Sequence, residues 1–319
     1  MKLYKYMRAI DSVICPRIEK GCEFVSSQQQ ISDRLQKMIE YSAIFFSNPL
    51  TFNDPFDAHF SIETEDENEW QDIKDKFEKV GKQLIREGKC TEERFNNLEK
   101  HLETQLPLEN YKVSCFSGDG NNELMWAHYA DQHRGVVLCY EFDSIENIIQ
   151  KRNDNWVFID KGSFDSYSTD NHEYSILLDY VKYSFGKPKM KVKNGCLAES
   201  YSLSEVLFTK SINWSYEKEI RLALQIPMAD RFNDGNHYII LDKHCLKSIV
   251  FGERLDDIYR NEIINLINRT GYENVKFLES VIDAKTFSFK QQEYHLESIF
   301  YSHMEGGSLS VYMAKKWKK

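Results

Sequence analysis

The segment WSYEKEIRLALQI, residues 214–226, alternates between polar and apolar side chains along most of its length, which predicts a β-strand. Side chains two positions apart on a strand point to the same face. The prediction therefore places Glu217, Glu219 and Arg221 on one face, with the two carboxylates about 7 Å apart. Such a pair in a cleft can divide catalytic roles through different pKa values. The alternative is an exposed face on which Arg221 neutralises one glutamate.

Other strands and helices flank this segment on both sides. Further strands are predicted at 2–10, 111–116, 136–142, 176–183, 237–241, 246–251 and 274–278. The segment VVLCYEF at 136–142 is apolar enough for a central strand buried on both faces. Helices are predicted at 67–87, 91–105, 123–132, 199–212 and 255–269. A long connection is predicted after the strand at 2–10, and a loop is predicted at 304–310.

Together these elements predict an α+β fold, with a mixed, mostly antiparallel central sheet, flanking helices and a helical insertion. We expect a single domain over 1–282, with the insertion at about 64–106, and a C-terminal extension over 283–319. No internal repeat is visible, which argues against a propeller or solenoid.

Composition narrows the classes of partner. The chain of 319 residues has a formal net charge of -9, so it lacks the overall basic character of many nucleic-acid-binding proteins. Lysines cluster locally in two stretches, Lys182–Lys193 and Lys315–Lys319. Each stretch is either part of a local groove or a solvated loop or tail.

The seven cysteines are widely spaced and include no CxxC pair, which argues against a zinc ribbon or a thioredoxin-type motif. We expect reduced thiols in the cytoplasm. No signal-peptide pattern and no run of 18 apolar residues occurs, so neither secretion nor a membrane span is expected.

Two further segments carry candidate chemistry. Ser114 and Ser117 lie at the end of the strand predicted at 111–116, where a hydroxyl can bind a ligand or form a turn. Asn122 is suited to cap the following helix. On that helix His128 shares the predicted inward stripe, and with Asp131 it forms either an oriented general base or a satisfied core pair. No metal site is expected, because no cluster with metal-ligand spacing is present.

Four segments resemble a widespread bacterial family described only as a domain of unknown function. They are LYKYM at 3–7, NDPFD at 53–57, LMWAHYADQHRG at 124–135 and WSYEKEIR at 214–221. The resemblance covers roughly residues 1–255. Members of that family tend to occur among phage-defence and toxin genes, which implies an effector with an antitoxin or defence-system partner.

A second resemblance is to the ADP-ribosyltransferase superfamily, through the order of an early strand, a serine-bearing strand and a late E-x-E strand. It implies a split sheet, NAD as substrate, and a protein or nucleic acid as acceptor. Glu219 matches the catalytic glutamate and Glu217 the upstream one. The first strand departs from the pattern, since it has Tyr4 and Tyr6 where those enzymes have His or Arg.

The resemblance and the local motifs together give a set of expected catalytic residues and a set of residues expected to hold NAD. The expected catalytic residues are Glu219, Glu217 and His128, and the expected NAD-binding residues are Tyr4, Tyr6, Asn53, Asp54, Ser114, Ser117 and Tyr129. In such a reaction a carboxylate stabilises the oxocarbenium-like transition state, and a second carboxylate can take the acceptor's proton. Two alternatives stay open: a nuclease or hydrolase that uses His128, Asp131 and the glutamate pair, and a non-enzymatic binding protein.

Overall fold

The computed structural model describes residues 1–19, 22–64, 66–102, 108, 111–141, 157–160, 163–166, 175–193, 196–197, 205–225, 236–295, 300–305 and 308–313. The strands are β1 Lys2–Met7, β2 Ile10–Glu19, β3 Cys22–Ile31, β4 Ala43–Phe46, β5 Ser61–Glu63, β6 Tyr111–Ser117, β7 Val136–Glu141, β8 Val157–Asp160, β9 Ser163–Ser166, β10 Ser175–Tyr180, β11 Lys182–Ser184, β12 Lys189–Lys193, β13 Cys196–Leu197, β14 Thr209–Ser211, β15 Glu219–Gln225, β16 Asn236–Ile240, β17 Leu246–Phe251, β18 Lys276–Ile282, β19 Phe289–Glu293, β20 Phe300–Glu305 and β21 Ser308–Met313. The α-helices are α1 Asp33–Glu40, α2 Glu67–Arg86, α3 Glu92–His101, α4 Glu123–Tyr129 and α5 Asp257–Arg269.

The chain forms two compact units, each assembled from separated segments. Unit 1 consists of residues 1–42, 119–142 and 242–319, and unit 2 consists of residues 43–118 and 143–241. The predicted fold class is confirmed: helices and strands are mixed, and the largest sheet is mostly antiparallel and open. No helix among the described residues is both long enough and apolar enough to span a membrane.

Unit 1 is built on β7, which pairs antiparallel with β1 on one side and with β17 on the other. Its residues Val136, Val137 and Leu138 are completely buried, which confirms the prediction of a central strand in this segment. The connection from β17 to the parallel strand β18 runs through α5, and β19 then pairs antiparallel with β18. The crossover helix is required because parallel neighbours cannot be joined by a tight turn.

Unit 2 contains the strands that carry the glutamate motif. β15 pairs antiparallel with both β10 and β6. In the β15–β6 register Glu219 lies opposite Ser117, Arg221 opposite Cys115, and Ala223 opposite Val113. Opposed residues share a face, so this face changes along β15 from charged at Glu219 and Arg221 to apolar at Ala223. Its apolar end joins a core of Ala58, Phe60, Leu108, Val113, Met190, Val206, Leu207, Phe208 and Ala223.

The structure corrects the strand predicted at 214–226. Residues Ile212–Glu217 form a 3-10 helix, Lys218 adopts a left-handed conformation with φ 45° and ψ 48°, and β15 begins only at Glu219. Glu217 therefore does not share a strand face with Glu219. The predicted helix at 199–212 is also wrong at its end, where β14 pairs with β11. Residues 199–204 lie outside the described residues.

Two other predictions are revised, and a third is confirmed. A hairpin of β2 and β3 follows β1 in place of a long connection. The loop predicted at 304–310 is largely strand, since β20 ends at Glu305 and β21 begins at Ser308. The two helices of the predicted insertion are confirmed as α2 and α3, whereas the lysines at 315–319 lie outside the described residues.

A buried charge cluster as the candidate functional site

Five charged side chains of unit 2 meet in a buried network, which is called the charge cluster below. Its members are Asp57, Lys210, Glu217, Glu219 and Arg221. None is more than 6% exposed, and Arg221 is completely buried. Three carboxylates stand against two cations, which leaves a formal excess of one negative charge. Charged groups are rarely buried unless they are paired and hydrogen-bonded, so the arrangement has to be tightly specified.

Arg221 organises one side of the charge cluster. Its Nε donates to Glu219 Oε1 at 2.8 Å, and its Nη2 donates to Glu219 Oε2 at 3.1 Å and to Asp57 Oδ2 at 2.7 Å. Its Nη1 donates to the carbonyl oxygen of Leu207 at 2.7 Å. The rigid fork of guanidinium donors suits this two-point contact with a carboxylate.

Lys210 bridges all three carboxylates from the other side. Its Nζ lies 2.6 Å from Glu217 Oε2, 3.1 Å from Glu219 Oε2 and 3.4 Å from Asp57 Oδ2. Lys210 reaches this position because β14 pairs parallel with β11, with Lys210 beside Tyr183. A single ammonium group thus separates carboxylates that would otherwise repel one another.

The NDPFD turn places Asp57 in the charge cluster. Asp54 Oδ1 accepts from the backbone N–H of Phe56 at 2.9 Å, and the N–H of Asp57 donates to the carbonyl oxygen of Asp54 at 3.1 Å. Asp54 Oδ2 is buried and has no hydrogen bond within the described part of the chain. Most buried polar atoms have a hydrogen-bond partner, whereas this oxygen is an acceptor that receives no hydrogen bond from the described residues.

The left-handed residue Lys218 forms a corner between the 3-10 helix and β15, and this corner positions Glu217 in the charge cluster. Ser117 Oγ donates to the carbonyl oxygen of Glu217 at 2.6 Å, and the N–H of Gly118 donates to the carbonyl oxygen of Lys218 at 2.9 Å. The end of β6 therefore holds the corner by its backbone. Because Lys218 turns the chain, the side chains of Glu217 and Glu219 both reach Lys210 although they leave different elements.

Electrostatics keeps the central groups charged. Burial by itself raises the pKa of Glu219, but the positive charges of Arg221 and Lys210 outweigh burial and hold that pKa well below its usual value. Burial alone lowers the pKa of Lys210, yet Glu219, Asp57 and Glu217 raise it well above its usual value. Glu219 is therefore an ionised carboxylate at neutral pH.

Aromatic side chains cover the charge cluster. The Trp214 ring centroid lies 5.0 Å from Lys210 Nζ, and the Phe52 centroid lies 5.4 Å from Arg221 Cζ, distances at which a cation is attracted to a ring face. Tyr183 Oη accepts from the backbone N–H of Glu219 at 2.7 Å, and burial raises the pKa of Tyr183 to about 12. All three aromatic residues are partly exposed.

The structure brings together only part of the predicted site within unit 2. Glu217, Glu219 and Ser117 meet at the charge cluster. Ser114 is buried too, but it lies opposite Leu222 and thus on the other face of the sheet from Ser117. Asn53 is exposed in the NDPFD turn.

The remaining predicted residues belong to unit 1. Tyr6 Oη donates to the carbonyl oxygen of Asp119 at 2.9 Å and accepts from the N–H of Asn122 at 3.0 Å, so it holds the loop before α4. Tyr4 packs beside Gly120, whose added Cβ would lie 2.4 Å from the tyrosine ring.

The helix α4 departs from the prediction on one point. Asn122 caps it as expected, with Oδ1 accepting from the N–H of Met125 at 3.1 Å. His128, however, is exposed, with its ring against Tyr129, and the buried members of α4 are Met125 and Trp126. The prediction that His128 points inward is therefore wrong, because the buried face of α4 contains Met125 and Trp126, whereas Leu124, four residues before His128, is itself exposed.

Sequence reasoning missed Lys210 and Asp57 as site residues, and it considered Arg221 only as the partner that neutralises one glutamate. Lys210 lay in a segment assigned to a helix. A weak signal existed, because a single lysine following the apolar run Val206–Phe208 has to find an anionic partner if that run is buried. Asp57 lies in the NDPFD segment, in which only Asn53 and Asp54 were predicted as site residues.

Comparison with known proteins gives one match. A family model described as a protein of unknown function (DUF2971) matches residues 125–222, which confirms the resemblance to a family of unknown function. The matched segment contains Lys210, Glu217, Glu219 and Arg221, and it leaves out Asp57. No curated protein matches the chain, and no solved structure does.

Proposed function

We propose that this protein is an NAD-dependent ADP-ribosyltransferase, a toxin or phage-defence effector in which Glu219 is the catalytic carboxylate. The observation that carries the proposal is the register of β15 and β6, which sets Glu219 directly opposite Ser117. A glutamate and a serine on adjacent strands are the pair that the E-x-E resemblance implies.

The charge state of Glu219 fits this chemistry. Cleavage of the bond between C1′ of the ribose and the nicotinamide nitrogen leaves positive charge on the ribose, and the bonding electron pair departs with neutral nicotinamide. A carboxylate that stays ionised stabilises that developing charge. Arg221 and Lys210 keep Glu219 ionised, and the cluster's excess negative charge favours a cationic transition state.

Completion of the reaction requires an acceptor. Its nucleophile forms a new bond to C1′ and gives up a proton, which we assign to Glu217 because Glu217 and Glu219 both accept from Lys210 Nζ. Lys210 is held more loosely by Glu219, at 3.1 Å, than by Glu217, at 2.6 Å. A ribose hydroxyl that binds Glu219 Oε2 is therefore expected to displace the lysine toward Glu217.

Groups suited to hold a substrate occur on the segments that form the charge cluster. Asp54 Oδ2 is a buried acceptor with no hydrogen bond among the described residues, and Trp214 and Tyr183 offer partly exposed ring faces. Aromatic faces and a few directed polar groups are typical of ligand sites. The roles proposed for Tyr4, Tyr6, His128 and Tyr129 stay predictions.

The test is release of nicotinamide from NAD by the purified full-length protein, with and without cell lysate as acceptor source. We expect Glu219→Gln to lower release by roughly 100-fold or more, the loss typical for an electrostatic catalytic group. Glu40→Gln is the matched control, because Glu40 forms an ion pair with the largely exposed Arg269 in unit 1. Near-ultraviolet circular dichroism establishes that both variants are folded. Equal release by wild type and Glu219→Gln, or no release at all, contradicts the proposal.

One observation favours a second candidate, a non-enzymatic binding protein. Both oxygens of Glu219 already accept hydrogen bonds from Arg221 and Lys210, as in a structural ion network. If the protein is a non-enzymatic binding protein, its biological effect in cells is expected to persist in the Glu219→Gln variant. The transferase proposal requires that effect to disappear.

A further inference from the structure

We propose that the acceptor is a single-stranded nucleic acid, and that it binds an aromatic–lysine strip on unit 2. The strip consists of Phe56, Phe185, Lys187, Lys189 and Lys191. The inference deepens the proposed function, on which it rests, by naming the acceptor class. Binding itself can be measured without any transfer of ADP-ribose.

Two phenylalanines of the strip face solvent. Phe185 is 95% exposed and Phe56 is 65% exposed, although large apolar side chains are normally at least half covered. Lys187 connects them, since it is two residues from Phe185 and its Nζ lies 5.7 Å from the centroid of the Phe56 ring. A stacking surface for a base and a cation for a phosphate thus occur side by side.

The lysines follow the alternation of β12. Met190 and Val192 are buried, whereas Lys189 and Lys191 are exposed on the opposite face. Lys189 also pairs with Glu63 at 2.9 Å, but both side chains are largely exposed, and such pairs contribute little. This local positive surface contrasts with a chain whose formal net charge is -9.

The strip adjoins the charge cluster along the chain at two places. Phe56 immediately precedes Asp57, whose Oδ2 accepts from Arg221. Tyr183, which accepts from the N–H of Glu219, lies two residues before Phe185. Phe56 and Phe185 therefore lie within two positions, along the chain, of residues that contact Glu219 or Arg221.

The residue types favour a single strand over an acidic protein surface. Lysines alone would suit either polyanion, but exposed rings gain most from unstacked bases, which a duplex does not offer. Aromatic stacking combined with a positive path for the backbone is the usual way to bind single strands without sequence preference.

The experiment measures fluorescence anisotropy of a labelled single-stranded DNA oligonucleotide of mixed sequence, and of its RNA and duplex counterparts, against the full-length protein at several salt concentrations. Phe185→Ala combined with Lys187→Ala removes part of the strip. Lys285→Ala combined with Phe287→Ala is the matched control in unit 1, because there too an exposed phenylalanine lies two residues from an exposed lysine.

We expect the wild type to bind single strands more tightly than duplex. The strip variant should bind roughly tenfold more weakly. The slope of log K, where K is the binding constant, against log salt concentration should become shallower by about 0.7 for this variant. The control pair should bind like the wild type. Because binding is measured without NAD, a failure of NAD chemistry leaves this result unaffected.

Three outcomes overturn the inference. They are absence of salt-dependent binding by the wild type, equal weakening by the two double variants, and transfer of label from NAD to lysate proteins that persists after nuclease treatment. The last outcome would identify a protein acceptor and leave the proposed transferase activity intact.

Discussion

Arg221 holds both carboxylate oxygens of Glu219, with Nε to Oε1 at 2.8 Å and Nη2 to Oε2 at 3.1 Å, although the two residues lie only two positions apart on β15. Residues at this spacing share a strand face, and the longer arginine side chain folds back along it. The pairing fixes the orientation of the carboxylate while the same guanidinium also reaches Asp57 and Leu207.

Replacing Arg221 with methionine should lower the free energy of unfolding by about 3–5 kcal/mol, because the buried carboxylates of Glu219 and Asp57 would each lose a cation. Arg221→Lys should cost less but still lose the two-point contact. Urea denaturation measures both. Arg269→Met is the control, since its pair with Glu40 has a largely exposed guanidinium and should contribute under about 1 kcal/mol. Similar losses for Arg221→Met and Arg269→Met would show that the charge cluster is not a buried unit.

Lys210 and Glu217 should be energetically coupled, because their 2.6 Å contact is buried on both sides. Lys210→Met leaves Glu217 without its cation, whereas the double variant with Glu217→Gln removes the stranded charge as well. The double variant should therefore lose less free energy of unfolding than the two single variants lose together. The difference should be about 0.5–3 kcal/mol. Strict additivity in a double-mutant cycle would exclude the bridging role.

The pH dependence of stability should follow the shifted pKa values. The pKa of Glu219 is lowered by folding, so its contribution is complete above the unfolded value of about 4.3 and is lost as the pH falls toward the folded value. The pKa of Lys210 is raised, so its contribution is complete below about 10.4 and is lost as the pH rises beyond that. Stability measured by urea at a series of pH values should therefore decline at both extremes. Glu219→Gln should flatten the acid decline, and an unchanged acid limb would contradict the assignment.

Gly135 should resist any larger side chain. A Cβ at this position would lie 2.2 Å from the carbonyl oxygen of Met7 and 2.8 Å from Ala130 Cα. We expect Gly135→Ala to cost about 1–3 kcal/mol, because backbone atoms cannot move aside as flexible side chains do. Gly186→Ala is the control, since no atom lies within 4 Å of its added Cβ. The difference in thermal midpoint between the two variants measures the effect.

The sequence predicts the elements whose pattern is long and regular. The apolar run of β7 and the amphipathic spacing of α5 led to correct assignments, because burial on one or both faces determines these patterns locally. Asn122 as a cap and NDPFD as a turn were predictable for the same reason, since each acts on backbone within three residues.

The candidate site was predictable only in part, because its members come from three distant segments. Glu217 and Glu219 were singled out by their proximity in sequence, but for a geometry that only Glu219 adopts. Lys210 depends on the pairing of β14 with β11, and Asp57 depends on a turn that packs far from its neighbours in sequence. No local periodicity encodes such long-range ion pairs.

The left-handed corner at Lys218 has a consequence for how this sequence tolerates insertions and deletions. The corner sets the phase of β15, because it decides which residue takes the first position on the strand. Loss or gain of one residue between Trp214 and Glu219 would shift that phase by half a pleat. Glu219 and Arg221 would then turn away from Asp57, and Ile220 and Leu222 would take their place. Segments of fixed length are therefore expected here in any functional variant, even where the residue types themselves are free to change.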